Sequence, residues 1–244
     1  MLRAKNISKK LVGFPKSPDV LTSERKNLFN KVNISIGKGD FYTLMGESGG
    51  GKSSLFRSLV FLTDICEGEI RWRDQLVEKN DIPNFRTKVQ YVMANNFHWE
   101  GSVFNFLSEI RRYHVHKNIK SQQFRKELED ILDEIDFSKK ILDQYASELS
   151  SGQKQIVHLL WPLYQRPIIY LLDEPTSAMD EKLFLSIEKF FIEKVNKKSC
   201  GVFWITHNKD QANRISRKQY YLEEGRFFSS NQPLHNLSPL GNDS

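Results

Sequence analysis

Cysteine is scarce in this sequence: there are two in 244 residues, Cys66 and Cys200, far apart and at no metal-ligand spacing. That argues against a disulfide framework and a zinc site, and for two reduced thiols of a cytosolic protein. Long hydrophobic runs are missing as well. No segment approaches the roughly 18 to 20 apolar residues that cross a bilayer, and residues 168–172 have the length of a buried strand. No apolar signal region follows Met1-Leu2-Arg3-Ala4-Lys5. A membrane role therefore needs a partner chain. No internal repeat is visible and no long linker divides the sequence. Histidines number six. His114 and His116 offer two ligands on a basic stretch, too few for a metal site, and His158 reads as a helix residue packing its ring.

What is present is the composition of an ordinary globular protein, 39% apolar and 27% charged. The length suffices for one domain with a sizeable core. A net charge of +6 suits nucleic acid or an anionic membrane surface and does not choose between them. Strands are expected at residues 2–8, 32–36, 41–45, 89–93, 168–172 and 201–206, with a loop at 13–25. Helices are expected at 53–62, from Ser151, and at about 183–195. Between 102 and 147, Phe124, Leu128, Ile131 and Ile135 recur at helical spacing, which predicts a helical insertion. Strands alternating with helices imply a largely parallel sheet covered on both faces, an α/β fold.

Two motifs carry chemistry. Gly46-Glu47-Ser48-Gly49-Gly50-Gly51-Lys52-Ser53 fits G-x-x-x-x-G-K-[ST] after a strand and before a helix, with Ser54 next in the helix. Its glycines let backbone N–H groups turn around phosphate oxygens, and the helix N-terminus adds partial positive charge. Lys52 is expected to reach the β and γ phosphates of a nucleoside triphosphate, and the Ser53 hydroxyl to bind Mg2+. The second motif is an apolar strand that ends in Asp173-Glu174. Asp173 is expected to hold Mg2+, directly or through water, and Glu174 to polarise the attacking water.

Between these lies Leu149-Ser150-Ser151-Gly152-Gln153, which resembles the LSGGQ signature of ATP-binding cassette (ABC) ATPases. Pro175-Thr176-Ser177-Ala178-Met179-Asp180 resembles that family's D-loop, and Trp204-Ile205-Thr206-His207 its switch histidine. The order and spacing match over residues 2–228. The resemblance implies a P-loop core of mostly parallel sheet, an antiparallel N-terminal β part and a helical subdomain near 95–152, all in one domain of residues 1–228 with a polar tail at 229–244. It also implies ATP and Mg2+ sandwiched between two head-to-tail copies. Ser150, Ser151, Gly152 and Gln153 would face the other copy's γ-phosphate, His207 would contact γ-phosphate in its own copy, and Asp180 would tie each site to its neighbour. Phe14 is the candidate for stacking on adenine. Partners implied are separate transmembrane subunits at the cytoplasmic face of the membrane, engaged near residues 95–107, and no nucleic acid. The compact size and the 204–210 run are similar to small stand-alone bacterial ATP-binding proteins.

Three positions depart from the family pattern. Ala94 stands where a metal- and water-positioning glutamine is usual, with Asn95 following on a shorter arm. Ser151 replaces a glycine, which requires a negative φ there or strain. Pro162 is expected to kink or end the helix that follows the signature. Slow hydrolysis is the consequence expected of Ala94. Two other classes stand beside a transport motor: a soluble ABC ATPase acting on nucleic acid or ribosomes, and a nucleotide-binding regulator with weak hydrolysis. No coiled-coil heptads and no second cassette accompany the single P-loop, which favours the motor.

Overall fold

The computed structural model describes residues 1–10, 27–93, 99–112, 119–216 and 218–230. The loop expected at 13–25 and the residues Phe14, Ala94 and Asn95 lie outside them, as do His98, His114, His116 and His235. Strands β1 (Leu2–Lys10), β2 (Asn27–Ile36), β3 (Phe41–Met45), β4 (Glu67–Trp72), β5 (Gln75–Leu76), β6 (Val89–Val92), β7 (Ile169–Asp173), β8 (Gly201–Ile205), β9 (Lys218–Glu223) and β10 (Arg226–Ser230) form one sheet. Its order is β5-β4-β1-β2-β10-β9-β3-β8-β7-β6.

The sheet has two characters. Strands β6, β7, β8, β3 and β9 run parallel. At the other end β2, β1, β4 and β5 pair antiparallel. Strand β10 turns back antiparallel on β9 and touches β2 through the pair Arg226 and Asn30. Parallel strands buried on both faces read as near-continuous apolar runs, and β7 and β8 are buried throughout. Alternate residues serve alternate faces. Tyr170, Leu172, Val202 and Trp204 join one core with the helical residues, while Ile169, Leu171, Phe203 and Ile205 join the other.

The second core is closed by α1 (Lys52–Leu59), through Leu55, Phe56 and Leu59, and by the antiparallel strands. The first is covered by α3 (Val103–Arg112), α4 (Ser121–Glu134), α5 (Ser151–Gln165) and α6 (Glu181–Asn196). On α4 the spacing read from sequence is the buried stripe: Phe124, Leu128, Ile131 and then Ile135 beyond its end. Helices α2 (Ile82–Lys88) and α7 (Lys209–Ile215) are short connectors.

Several expectations are corrected. Pro162 does lie near the C-terminal end of its helix, but the stop itself comes at Arg166 with φ 49°, after α5 has continued to Gln165. A proline three residues from a helix end withholds one hydrogen bond where the ladder is about to finish. The chain after Phe228 is still strand, since β10 runs to Ser230. Helix α1 stops at Leu59, short of Leu62, because Phe61 takes φ 57°. Ser151 opens α5 and is not among the positive-φ residues, so it sits there without backbone strain.

Candidate functional site

The glycine-rich loop turns between β3 and α1. Gly46 has φ 143°, and a Cβ there would meet the Leu222 carbonyl oxygen at 2.2 Å. Only glycine lets the loop lie this close to β9. Gly51 stands before α1 in the left-handed region, with no side chain capping the helix. The first N–H groups of α1 are thus left to a ligand, and an anion is the ligand they suit. Lys52 is 5% exposed, and its Nζ donates to the carbonyls of Gly46 at 2.9 Å and Glu47 at 2.7 Å. Burial lowers its ammonium from the ordinary value, while the charges of Glu174 and Asp173 oppose that shift.

The acidic pair stands at the C-terminal edge of β7. Asp173 is 3% exposed, and its Oδ2 accepts a hydrogen bond from the Tyr91 hydroxyl at 2.7 Å. Glu174 takes φ 47°, an uncommon conformation for a residue with a Cβ, and its N–H donates to the Ile205 carbonyl at 3.2 Å. That turn aims its carboxylate at the end of β8, where His207 Nε2 lies 2.9 Å from Glu174 Oε1. Glu174, Ser177, His207 and Asn208 line a cavity of about 300 Å³. At this distance the carboxylate and the imidazole are directly hydrogen-bonded, so a water or a phosphate oxygen would be met beside the pair, from the cavity they line.

The signature segment begins α5. Ser150 Oγ accepts from the Gln153 N–H at 3.2 Å, and Gln153 Oε1 accepts from the Ser150 N–H at 2.8 Å, a reciprocal cap. Ser150 and Ser151 are exposed, whereas Gly152 is buried against the D-loop. A Cβ on Gly152 would meet the Ala178 carbonyl oxygen at 2.7 Å. Gln155, one turn from the start of α5, grips the same loop. Its Nε2 donates to Ser177 Oγ at 2.9 Å and its Oε1 accepts from the Ala178 N–H at 3.0 Å. Asp180 closes the D-loop by capping α6, accepting from the Leu183 N–H at 3.0 Å.

Residues 29–177 match the family described as ABC transporter. The chain belongs to the ABC transporter family. It is an ATP-hydrolysing subunit of that family. The ergothioneine transport ATP-binding protein EgtV of Helicobacter pylori (strain G27) is 29% identical over 195 residues, covering 78% of this chain and 88% of the relative. The phosphate import ATP-binding protein PstB of Borreliella afzelii (strain PKo) is 30% identical over 232 residues, 86% of each. In fold the chain is similar to the ATP-binding cassette MJ0796 in a dimeric post-hydrolysis state bound to ADP and Pi, with TM-score 0.82 and 22% identity over 95% of this chain and 98% of that one.

In this ABC subunit the P-loop, the acidic pair and His207 come together around one sheet edge, as the motifs lead one to expect. Four residues near that edge went unread. Tyr91 is one. Burial, then the bond to Asp173 and its charge, push its phenol well above the ordinary value, with Arg57 opposing. The others form a polar network, buried except at Arg214, behind the turn that carries His207. Gln211 Nε2 donates to Thr176 Oγ1 at 3.2 Å and to Glu188 Oε1 at 2.9 Å, and its Oε1 accepts from Thr206 Oγ1 at 2.5 Å. Arg214 holds Glu188 with two bonds, Nε to Oε2 at 2.7 Å and Nη2 to Oε1 at 2.8 Å. The network joins the segment after Glu174 to the one before His207. A signal for it existed: Glu188 interrupts the apolar face of α6 between Ile187 and Phe191, and Gln211 and Arg214 are three apart on α7.

Proposed function

We propose that the chain is the motor of an ABC transporter, closing as two head-to-tail copies on two Mg2+–ATP and so driving separate membrane-spanning subunits. The observation that carries this reading is the Glu174–His207 contact, 2.9 Å, at the strand ends beside a buried Lys52. Glu174 is the group that takes the proton of the attacking water. His207 supports Glu174 and the γ-phosphate. Lys52 leaves the Gly46 and Glu47 carbonyls for the β and γ phosphates, which neutralise its desolvated charge. The backbone of Gly46, Glu47, Ser48, Gly49, Gly50 and Gly51 and the start of α1 through Ser54 wrap the phosphate chain, and Phe14 stacks on adenine.

Ser53 hydroxyl and the Asp173 carboxylate are hard oxygen donors, the chemistry that suits Mg2+ completed by phosphate oxygens and water. Among the described residues no three His, Cys, Asp or Glu side chains converge, so a metal held wholly by such side chains is not what this donor set resembles. When bound, Mg2+ supplies charge neutralisation to the phosphates.

The exposed Ser150 and Ser151 at the N-terminus of α5 support a second copy as partner, with the phosphates of the other copy's ATP meeting Ser150, Ser151, Gly152 and Gln153. Asp180 and the D-loop lie beside this segment and serve the same contact. Among the described residues no helix is long and apolar enough to cross a membrane. The chain sits peripherally on the cytoplasmic face in this reading, held there by the membrane subunits. EgtV and PstB are named for transport and import, which favours a transport motor over a soluble ATPase on nucleic acid or ribosomes. A single ABC domain extends through the end of β10 at Ser230, with the helical subdomain near 95–152.

Glu174→Gln tests the reading. It preserves shape and phosphate contacts and removes the water-activating charge. Size-exclusion chromatography with ATP and Mg2+ should shift the variant to dimer and leave it monomeric without nucleotide. A variant that stays monomeric at every ATP concentration would defeat the sandwich.

A further inference from the structure

We propose that the Tyr91 hydroxyl is a positioning group that aims the Asp173 carboxylate at the Mg2+ of bound ATP. The proposal rests on the reading of Asp173 as a metal ligand. Strands β6 and β7 are parallel, and Tyr91 stands level with Leu171, two residues short of Asp173. Its phenol therefore extends along the sheet toward the strand ends, where it donates to Asp173 Oδ2 at 2.7 Å. The ring is partly buried with the core that includes Leu55 and Phe56 of α1. It meets the Phe56 ring edge-on, with centroids 6.3 Å apart at 86°.

The two parts of this side chain do different work. The ring packs, and a phenylalanine would pack equally well. The hydroxyl is what reaches the site. A carboxylate turns about its last torsion with little resistance, so a donor on Oδ2 fixes its plane and leaves the other oxygen for the metal or a metal-bound water. Partners of this kind set the orientation of metal ligands and matter nearly as much as the ligands. The tyrosine also spans the two elements that bring metal donors, since its ring lies on α1, which carries Ser53, and its hydroxyl on β7, which ends in Asp173. In the sequence it stands three residues before Ala94, where the resemblance shows a positioning glutamine to be absent.

Tyr91→Phe is the test, read by binding of trinitrophenyl-ATP at graded free Mg2+ and in EDTA. Affinity in EDTA should match the wild type, because the phosphate loop is intact. The Mg2+ concentration that half-restores tight binding should rise by about 10-fold, the scale of a lost outer partner. ATP turnover at low Mg2+ should fall and recover as Mg2+ is raised. Phe56→Leu is the companion variant: it disturbs the same packing without touching the hydroxyl, and its Mg2+ midpoint should stay at the wild-type value. A Tyr91→Phe midpoint equal to wild type overturns the proposal. So does an equal shift in Phe56→Leu, which would assign the effect to packing. A wild-type chain whose nucleotide affinity ignores Mg2+ overturns the metal reading of Asp173 itself, a result distinct from either.

Discussion

At the residue scale, the site depends on a few side chains held in conformations that cost energy. Glu174 occupies φ 47°, and such a backbone persists only where its surroundings determine it. Here they do: although Pro175 would favour an extended backbone before it, the Glu174 N–H is tied to Ile205 and its carboxylate to His207. Lys52 is similarly poised, desolvated and resting on two loop carbonyls that a phosphate can replace. Ala94 belongs to this scale as well. A methyl group neither ligates a metal nor hydrogen-bonds a water, and phosphoryl transfer depends on positioning. Restoring the carboxamide in Ala94→Gln should raise basal ATP turnover, up to roughly 10²-fold, with ATP affinity little changed. Asn95→Ala should lower turnover in the wild-type background and matter less beside the introduced glutamine. A phosphate-release assay on the four chains of that cycle measures both effects, and strict additivity without a gain would show that the two positions share no task.

At the scale of elements, the functional strands and helices are joined by polar contacts that ordinary amphipathic patterning does not supply. Helix α5 is linked to the D-loop by Gln155 and by the close approach at Gly152. Helices α6 and α7 are joined to the ends of β7 and β8 by Glu188, Gln211 and Arg214. Glu188 is 2% exposed, so its carboxylate depends on these donors to offset lost hydration. Truncating Glu188 leaves Gln211 one partner short in the interior, while the exposed Arg214 can turn to water. Glu188→Ala should therefore lower unfolding free energy by about 2 kcal/mol in urea denaturation. Because the network underlies both Thr176 and Thr206, ATP turnover at 25 °C should fall as well. A variant with wild-type urea midpoint would show that solvent already satisfies the network.

At the scale of the whole molecule, one sheet does two jobs. Its parallel half is covered on both faces and bears the P-loop, Asp173 and Glu174 at its strand ends, while its antiparallel half closes the core over α1. The thiols report on this division. Cys200 is 4% exposed, at the entry to β8, and burial above all pushes its thiol up to about 11, whereas Cys66 is exposed. Thiolate is the reactive form. A colorimetric thiol reagent at pH 8 should therefore count one group in the native chain and two after unfolding in guanidinium. The second group should appear at the rate of global unfolding, and its prompt reaction in the native state would contradict the packing of β8.

What the sequence determined by itself is what short stretches of consecutive residues encode. A glycine loop before Lys-Ser, an apolar strand ending in Asp-Glu, and a serine cap three residues before glutamine each build their geometry from neighbours along the chain, so the P-loop, the acidic edge and the start of α5 were legible. So was the α/β class, because buried parallel strands read as near-continuous apolar runs. Strands β4 and β10 were not legible, since each is short and carries mostly partly buried or exposed residues, without a continuous apolar run. The tertiary structure alone decided which distant polar groups meet. Tyr91 and Asp173 are 82 residues apart, and Thr176 and Gln211 are 35 apart. Their hydrogen bonds follow from strand order and register, which bring residues of β6, β7, β8 and α7 to one edge. That order is set by the burial of two whole faces at once, a property of the assembled sheet that no local run of residues carries.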